Sequence, residues 1–309
     1  MKCLVLGGGG FIGSHVVDAL IDGGHRVRVF ERPRVPQYRA CDGDTLEWME
    51  GDFQNSARVR EAVQGVDTIV HLVSTTLPKG SNDDPEFDVQ SNVIGSLRLL
   101  RSAVEAGVRK VVFISSGGTV YGVPVTIPIP ETHPTEPRVS YAIGKLAVEK
   151  YLAVFRQQHG LDYAVLRVAN PYGPRQRVDI AQGAVAVFLD AALAGRDVEI
   201  WGDGSVIRDY VHVADVARAF VLALEYGGEQ RIFNIGSGQG RSLVELLDVI
   251  ERAVGRPVPR RHLPARGIDV PSNVLDIARA QRELAWTPRV GLEEGVARTV
   301  EWLRERARR

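Results

Sequence analysis

With 309 residues the chain is long enough for one large domain or two intimately packed ones. Hydrophobic residues make up 44% and charged residues 25%, the balance of a globular protein with a full core, which excludes a disordered or fibrous class. The formal net charge of +0, with no lysine–arginine block, leaves no electrostatic footprint for nucleic acid or an anionic membrane. Cys3 and Cys41 are the only cysteines and read as free thiols in a reducing compartment. The N-terminus enters a strand without the basic and apolar regions of a secretory signal. No apolar run approaches the ~20 residues that cross a bilayer. A cytoplasmic protein is expected.

In chain order, an apolar run at 2–6 breaks into Gly7, Gly8, Gly9 and Gly10 and resumes through Phe11, Ile12 and Gly13 as a helical pattern over 12–22. This reads as strand, tight turn, helix. Gly7, Gly10 and Gly13 form G-x-x-G-x-x-G, a variant of the dinucleotide fingerprint. The first glycine permits the turn, the second lets backbone amides approach a pyrophosphate, and the third lets helix and strand pack closely. The helix then points its positive end at the phosphates. A second strand at 26–30 ends in Glu31, about 20 residues beyond the loop, where a carboxylate accepts ribose hydroxyls and repels a 2′-phosphate. Glu31 points to NAD as cofactor, whereas Arg32 beside it would favour the extra phosphate of NADP.

Further strands are expected at 45–49, 68–73, 110–115 and 163–168, with amphipathic helical stretches at 57–63, 91–106 and 141–158. This alternation implies an α/β fold with a doubly wound, mostly parallel sheet. Ser115 and Ser116 place hydroxyls at a strand's carboxyl end. Tyr141 and Lys145, four residues apart, share a helix face. A phenol has a reference pKa near ~10 and an adjacent ammonium favours its phenolate. The pair suits a proton shuttle for a substrate hydroxyl, provided a hydride acceptor lies beside it. After Asn170-Pro171-Tyr172-Gly173-Pro174 the rhythm loosens, with turns at 195–204 and 256–271 between helices near 181–194, 213–226, 242–254 and 292–306. Residues 1–170 are thus assigned to a nucleotide-binding domain and 171–309 to a smaller interleaved substrate lobe, part of 205–240 returning to the first. The seven histidines show no metal-ligand spacing, so no metal is expected.

These pieces together resemble the extended short-chain dehydrogenases/reductases, in their NAD-dependent NDP-sugar epimerase/dehydratase branch and above all its 4-epimerases, over almost the whole chain. The resemblance implies a Rossmann-type fold and NAD. It implies that Gly51-Asp52-Phe53 meets the adenine, that His71-Leu72-Val73-Ser74 passes under the nicotinamide, and that Ser91-Asn92-Val93-Ile94-Gly95 opens the fourth helix. Asp52, Phe53, Leu72, Val73, Ser74, Asn92 and Ser115 thereby join the cofactor set with Tyr141 and Lys145. In the substrate lobe Asn170 would meet a sugar-nucleotide diphosphate, Arg208 and Tyr210 would grip the nucleotide, and Arg266 with Asp269 would hold a phosphate and ribose. His71 and His212 read as structural, Trp48, Trp286 and Trp302 as packing residues, and Arg175 and Arg196 as solvated.

One position departs from the pattern. Where the epimerases usually place the Ser or Thr that completes a triad with Tyr and Lys, this chain has Gly117. Thr119 is the first candidate to supply that hydroxyl to the sugar, and Ser116 the second. The related 4,6-dehydratases place Asp-Glu in this run to eliminate water; Gly117-Gly118 offers neither acid nor base. The resemblance therefore implies C4 epimerisation of a UDP-hexose or UDP-hexuronic acid through a transient 4-keto sugar. A dehydratase or reductase on the same fold, or a non-catalytic protein that binds NAD and a nucleotide sugar, stay open as alternatives. A homodimer is expected, paired through 91–106 and 141–158, with Val93, Leu97, Leu100, Val104, Leu146 and Leu152 as candidate contact residues.

Overall fold

The computed structural model describes residues 1–78, 80–178, 183–265 and 270–308. Strand β1 (Lys2–Leu6) is buried from Cys3 to Leu6, as a parallel strand covered on both faces must be. Helix α1 (Phe11–Asp22) follows, then β2 (Arg26–Glu31), β3 (Leu46–Glu50), α2 (Ser56–Val63) and β4 (Thr68–His71). The expected strand 68–73 stops at His71; Leu72 and Val73 leave the sheet to run beside Gly7.

The stretch read as one helix over 91–106 is the end of a π-helical turn followed by an α-helix, with a further short helix before them. A short α3 (Pro85–Asp88), capped by the Asp84 carboxylate, runs into a π-helical turn (Val89–Ile94) and then α4 (Gly95–Glu105). The widened turn holds Ser91 and Asn92, and such π segments frequently mark functional sites. Strand β5 (Lys110–Ser116), α5 (Ser140–His159) and β6 (Asp162–Val168) complete the first half.

Beyond it come β7 (Asn170–Tyr172), α6 (Ala184–Ala194), β8 (Val198–Trp201), β9 (Ile207–His212), α7 (Val213–Glu225), β10 (Ile232–Ile235), β11 (Gly240–Ser242), α8 (Leu243–Val254), β12 (Arg260–Leu263), β13 (Ser272–Asn273), α9 (Ala278–Leu284) and α10 (Leu292–Arg308). Residues 181 and 182 of the expected helix 181–194 lie outside the described residues.

The main sheet is parallel throughout, in the order β10-β6-β5-β4-β1-β2-β3. On one face α1 and α7 bring Val16, Leu20, Val216 and Phe220 into the cluster that holds Val5, Val112 and Leu166. On the other, α2, α4 and α5 bring Val59, Leu99 and Leu152 to Leu4, Ile69 and Val111. A third cluster, with Phe188, Leu189, Leu246, Ile250 and Val296, is the core of the smaller lobe. The lobe's own sheets are β11-β9-β13, with β7 on β9, and β12-β8. The chain therefore crosses between the two bodies: α7 and β10 return to the main sheet between lobe segments.

Cys3 is buried, Cys41 exposed, and both are free. Among the described residues no helix is long and apolar enough to cross a membrane.

Candidate active site

The strand order reverses between β1 and β4, and in an open α/β sheet the ligand crevice lies at the carboxyl ends of the strands at such a point. The glycine loop occupies that end of β1. Gly7 has φ +84°, a backbone state that side chains disfavour. A Cβ on Gly13 would stand 2.0 Å from the Gly7 carbonyl oxygen, so only glycine lets α1 start this close to the loop. Helix α1 begins at Phe11 and Ile12 with Gly10 as N-cap, no side-chain cap and no acidic residue in its first turn. Its terminal amides are open to an anion, and the helix dipole favours one.

Glu31 stands beside them, its carboxylate accepting from the Gly9 amide at 3.1 Å and the Arg32 amide at 2.9 Å. Open amides for a diphosphate and an adjacent carboxylate for ribose hydroxyls are a donor set that fits NAD. Asp52 ties its own turn through the Gln54 amide at 2.7 Å. The Phe53 ring is turned into the core against Gly95 and the His71 ring, so any adenine contact there comes from backbone rather than from the ring.

Tyr141 and Lys145 lie on the first turns of α5, where Val73, Ser74, Asn92 and Phe113 join them around one small cavity. The Lys145 Nζ sits 4.8 Å from the centre of the Phe113 ring and 5.5 Å from that of Tyr141. Burial, and after it the Asp88 charge, push the Tyr141 phenol up to about 12. Burial also pushes the Lys145 ammonium down to about 8, against the pull of Asp88 and Glu149. Desolvation thus drives each group toward its neutral form, the phenol upward and the ammonium downward.

At the end of β5 the two serines face opposite ways, as strand alternation requires. Ser115 is buried and donates to Glu149 Oε1 at 2.5 Å, so its hydroxyl is committed to the core rather than to a cofactor. Ser116 is half-buried on the other side. At Gly117 a Cβ would meet Leu275 Cδ1 at 2.5 Å and the Arg167 carbonyl oxygen at 3.0 Å; the space that a triad hydroxyl's side chain would need is filled. Thr119 follows in the same turn, and its Oγ1 is buried with no hydrogen-bond partner among the described residues.

In the lobe, β7 and β9 set Asn170 opposite Tyr210, with Asn170 Nδ2 donating to the Asp209 carbonyl at 3.0 Å. The Tyr210 hydroxyl is also buried without a partner among the described residues. Arg208 Nη1 donates to the Val270 carbonyl at 2.7 Å, while Arg266 and Asp269 lie outside the described residues.

Two histidine readings find a structural basis: His71 is buried with Nε2 2.8 Å from Ser96 Oγ, and His212 Nδ1 accepts the Ala214 amide at the start of α7. Arg175 is not solvated. It pairs with Asp18 at 2.8 Å and stacks on the Tyr38 ring, tying the Asn170–Pro174 segment to α1. Arg196, in contrast, is exposed beside Asp190.

Sequence reasoning passed over three residues at the site. Asn273 donates through Nδ2 to the Gly117 carbonyl at 3.1 Å and keeps a buried Oδ1 without a partner among the described residues. Asp88 and Ser140 meet at 2.6 Å beneath the Tyr141–Lys145 turn. Asp88 had a legible signal, since it stands one turn before Asn92 on the same helix face. Asn273 had none.

The profile of the NAD dependent epimerase/dehydratase family matches residues 3–236, and the chain belongs to that family. It is 42% identical to a UDP-glucose 4-epimerase of Mycolicibacterium smegmatis, over 99% of this chain and 100% of that protein. Among solved structures it is similar to a UDP-glucose 4-epimerase of Thermotoga maritima with UDP-glucose, at a TM-score of 0.93 and 38% identity, covering 99% of this chain and 100% of that one. A Thermus thermophilus UDP-glucose 4-epimerase in complex with NAD aligns at a TM-score of 0.89 and 35% identity, covering 98% and 99% of the two chains.

Proposed function

We infer that the protein is an NAD-dependent NDP-sugar epimerase that inverts C4 of a UDP-hexose or UDP-hexuronic acid through a transient 4-keto sugar. The observation that carries this reading is the Tyr141–Lys145 pair on the same sheet edge as the open amides of α1. Residues 1–170 hold NAD, with part of 205–240 returning to support them, and 171–309 hold the nucleotide sugar. When bound, NAD supplies a hydride acceptor that returns the same hydride, so no net redox change follows. Phe11, Ile12 and Gly13 present amides to its diphosphate, Gly7 and Gly10 shape the loop with their own amides bonded to the Phe30 and Gly7 carbonyls, and Glu31 accepts its adenosine ribose hydroxyls.

The Tyr141 oxygen takes the proton of the 4-hydroxyl and later gives it back. Lys145 holds the cofactor ribose and, once the pair is shielded together, favours the phenolate. Thr119, its hydroxyl buried and unpartnered, hydrogen-bonds the reacting sugar oxygen in the place that Gly117 vacates; Ser116 is the alternative. Asn170, Arg208, Tyr210, Arg266 and Asp269 anchor the nucleotide diphosphate while the keto sugar turns over. A 4,6-dehydratase would need an acid and a base where Gly117 and Gly118 stand.

The active form is a homodimer of this chain. Val93, Leu100 and Leu152 are consumed by their own core, but Phe87, Val89, Ile143, Tyr151 and Val154 stay exposed on α3, the π-turn and α5. Ile143, Ala147, Tyr151 and Val154 form one stripe at helical spacing. The two free thiols suit a cytoplasmic setting.

The test is incubation of the NAD-loaded protein with UDP-glucose and related UDP- and dTDP-sugars, followed by NMR. Conversion of a 4-epimer pair without accumulation of reduced cofactor is the expected result. Stoichiometric reduction of cofactor beside an oxidised sugar, or no conversion of any sugar in the panel, would overturn the reading.

A further inference from the structure

Beneath the Tyr141–Lys145 turn lies a buried carboxylate that the reaction as described does not use. Asp88 closes α3 at 1% exposure. Its Oδ2 accepts from Ser140 Oγ at 2.6 Å, and its Oδ1 from Asn92 Nδ2 at 2.8 Å and from the Thr76 hydroxyl. These three donors come from the start of α5, the π-turn and the loop after β4. A Cβ placed on Gly144 would stand 3.8 Å from the same Oδ2, so the carboxylate lies along the α5 backbone between Ser140 and Lys145.

The other ionisable groups around the pair are already neutral or matched. Glu149 of α5 is bound by Arg167 at 2.6 Å and by Ser115. His71 of β4 is held neutral, pushed down to about 3 by burial. From β5 the Phe113 ring faces Lys145. Asp88 has no cation within salt-bridge distance among the described residues. Its negative charge is sustained by three neutral donors, which a carboxylate buried this deeply requires.

We propose that Asp88 is the positioning residue of the active site: it clamps the first turn of α5 to the π-turn and the loop after β4, and sets a buried negative charge beneath the Tyr141–Lys145 pair. This rests on the reading of Tyr141 and Lys145 given above. Removing a negative charge stabilises the deprotonated form of every neighbour, so both groups should then titrate at lower pH.

Asp88→Asn keeps the shape of the network, because the Ser140 hydroxyl can accept where it now donates. In this variant both limbs of the pH–rate bell should move down by about one pH unit. In the cofactor-free protein the Lys145 Cε resonance, carbon-13 labelled and assigned among five lysines by Lys145→Arg, should titrate with a midpoint lowered by a similar amount. Ser140→Ala loosens the clamp but leaves the charge, so it should lower kcat without moving either limb or the lysine midpoint. Asp88→Ser removes the same charge and replaces Asp88→Asn if that variant does not fold.

An unchanged Lys145 midpoint after loss of the charge, or an equal shift in Ser140→Ala, would overturn the inference. Failure of the wild-type protein to epimerise any sugar would instead count against the proposed function, and the lysine titration would still decide the role of Asp88.

Discussion

Tyr141 and Lys145 are each displaced by burial away from the charged form that the chemistry needs, the phenol upward and the ammonium downward. Such a site is bought with stability. For Lys145 the folded value of about 8 lies below the ordinary 10.5. Below about pH 8 the lysine is charged in both folded and unfolded states, and the full burial penalty, about 3 kcal/mol, is present. As pH rises toward the unfolded value, the folded protein loses its proton first and the penalty fades. Lys145→Met should therefore unfold at higher urea than wild type near neutral pH, with the gap closing as pH approaches about 10. A gap that does not change with pH would show that the lysine is not strained. Tyr141→Phe keeps the ring and removes only the oxygen, so NAD retention should survive while NMR-detected turnover falls by about 10²-fold or more. Glu31→Ala should narrow the preference for NAD over NADP in paired binding titrations, since the carboxylate that repels a 2′-phosphate is gone.

At the scale of elements, the turn after β5 decides where the sugar's hydroxyl partner comes from. Leu275 and the Arg167 carbonyl fill the space beside Gly117, so Gly117→Ser should lower stability by about 1–3 kcal/mol, the usual effect of overpacking, and should not raise turnover. Thr119→Val should lower turnover by roughly 10²-fold with little change in melting, and Ser116→Ala by less; the reverse ranking in the same assay would transfer the role to Ser116.

What the sequence made legible follows from element length and burial. The strands at 2–6 and 110–115 announce themselves because a parallel strand buried on both faces must be nearly continuously apolar, and 26–30 by the alternation of Arg26, Val27, Arg28 and Val29. Strands such as β7, β11 and β13 span only two or three residues, too few for any period to show. The π-turn was hidden inside an unbroken helical pattern, because one widened turn leaves the amphipathic spacing on either side intact. At the site, Glu31 and the Tyr141–Lys145 pair were readable from spacing alone. That Ser115 points inward, or that Arg175 reaches Asp18 across the chain, depends on contacts distant in sequence.

For the whole molecule, the proposed homodimer would cover the exposed stripe on α5, since a two-fold contact lets one patch cover itself. Light scattering at micromolar concentration should give twice the 33.9 kDa chain mass, and Tyr151→Glu should shift it toward the monomer. A wild-type mass of one chain would reject the dimer.

The return of α7, β10 and α9 to the main body governs how the chain can be made. One continuous core joins Cys3 and Val5 to Phe233, Leu275 and Trp286, whose indole nitrogen donates to the Asp215 carbonyl. Contacts so distant along the chain are slow to close, because the loop entropy must be met before the contacts repay it. As the polypeptide leaves the ribosome, β1 is covered early, by α1 on one face and by α2 and α4 on the other, but the flank of the sheet packed by α7, Leu275 and Trp286 closes only when those residues have been synthesised. A chain released before that point would leave this apolar flank open to solvent, a state prone to aggregation.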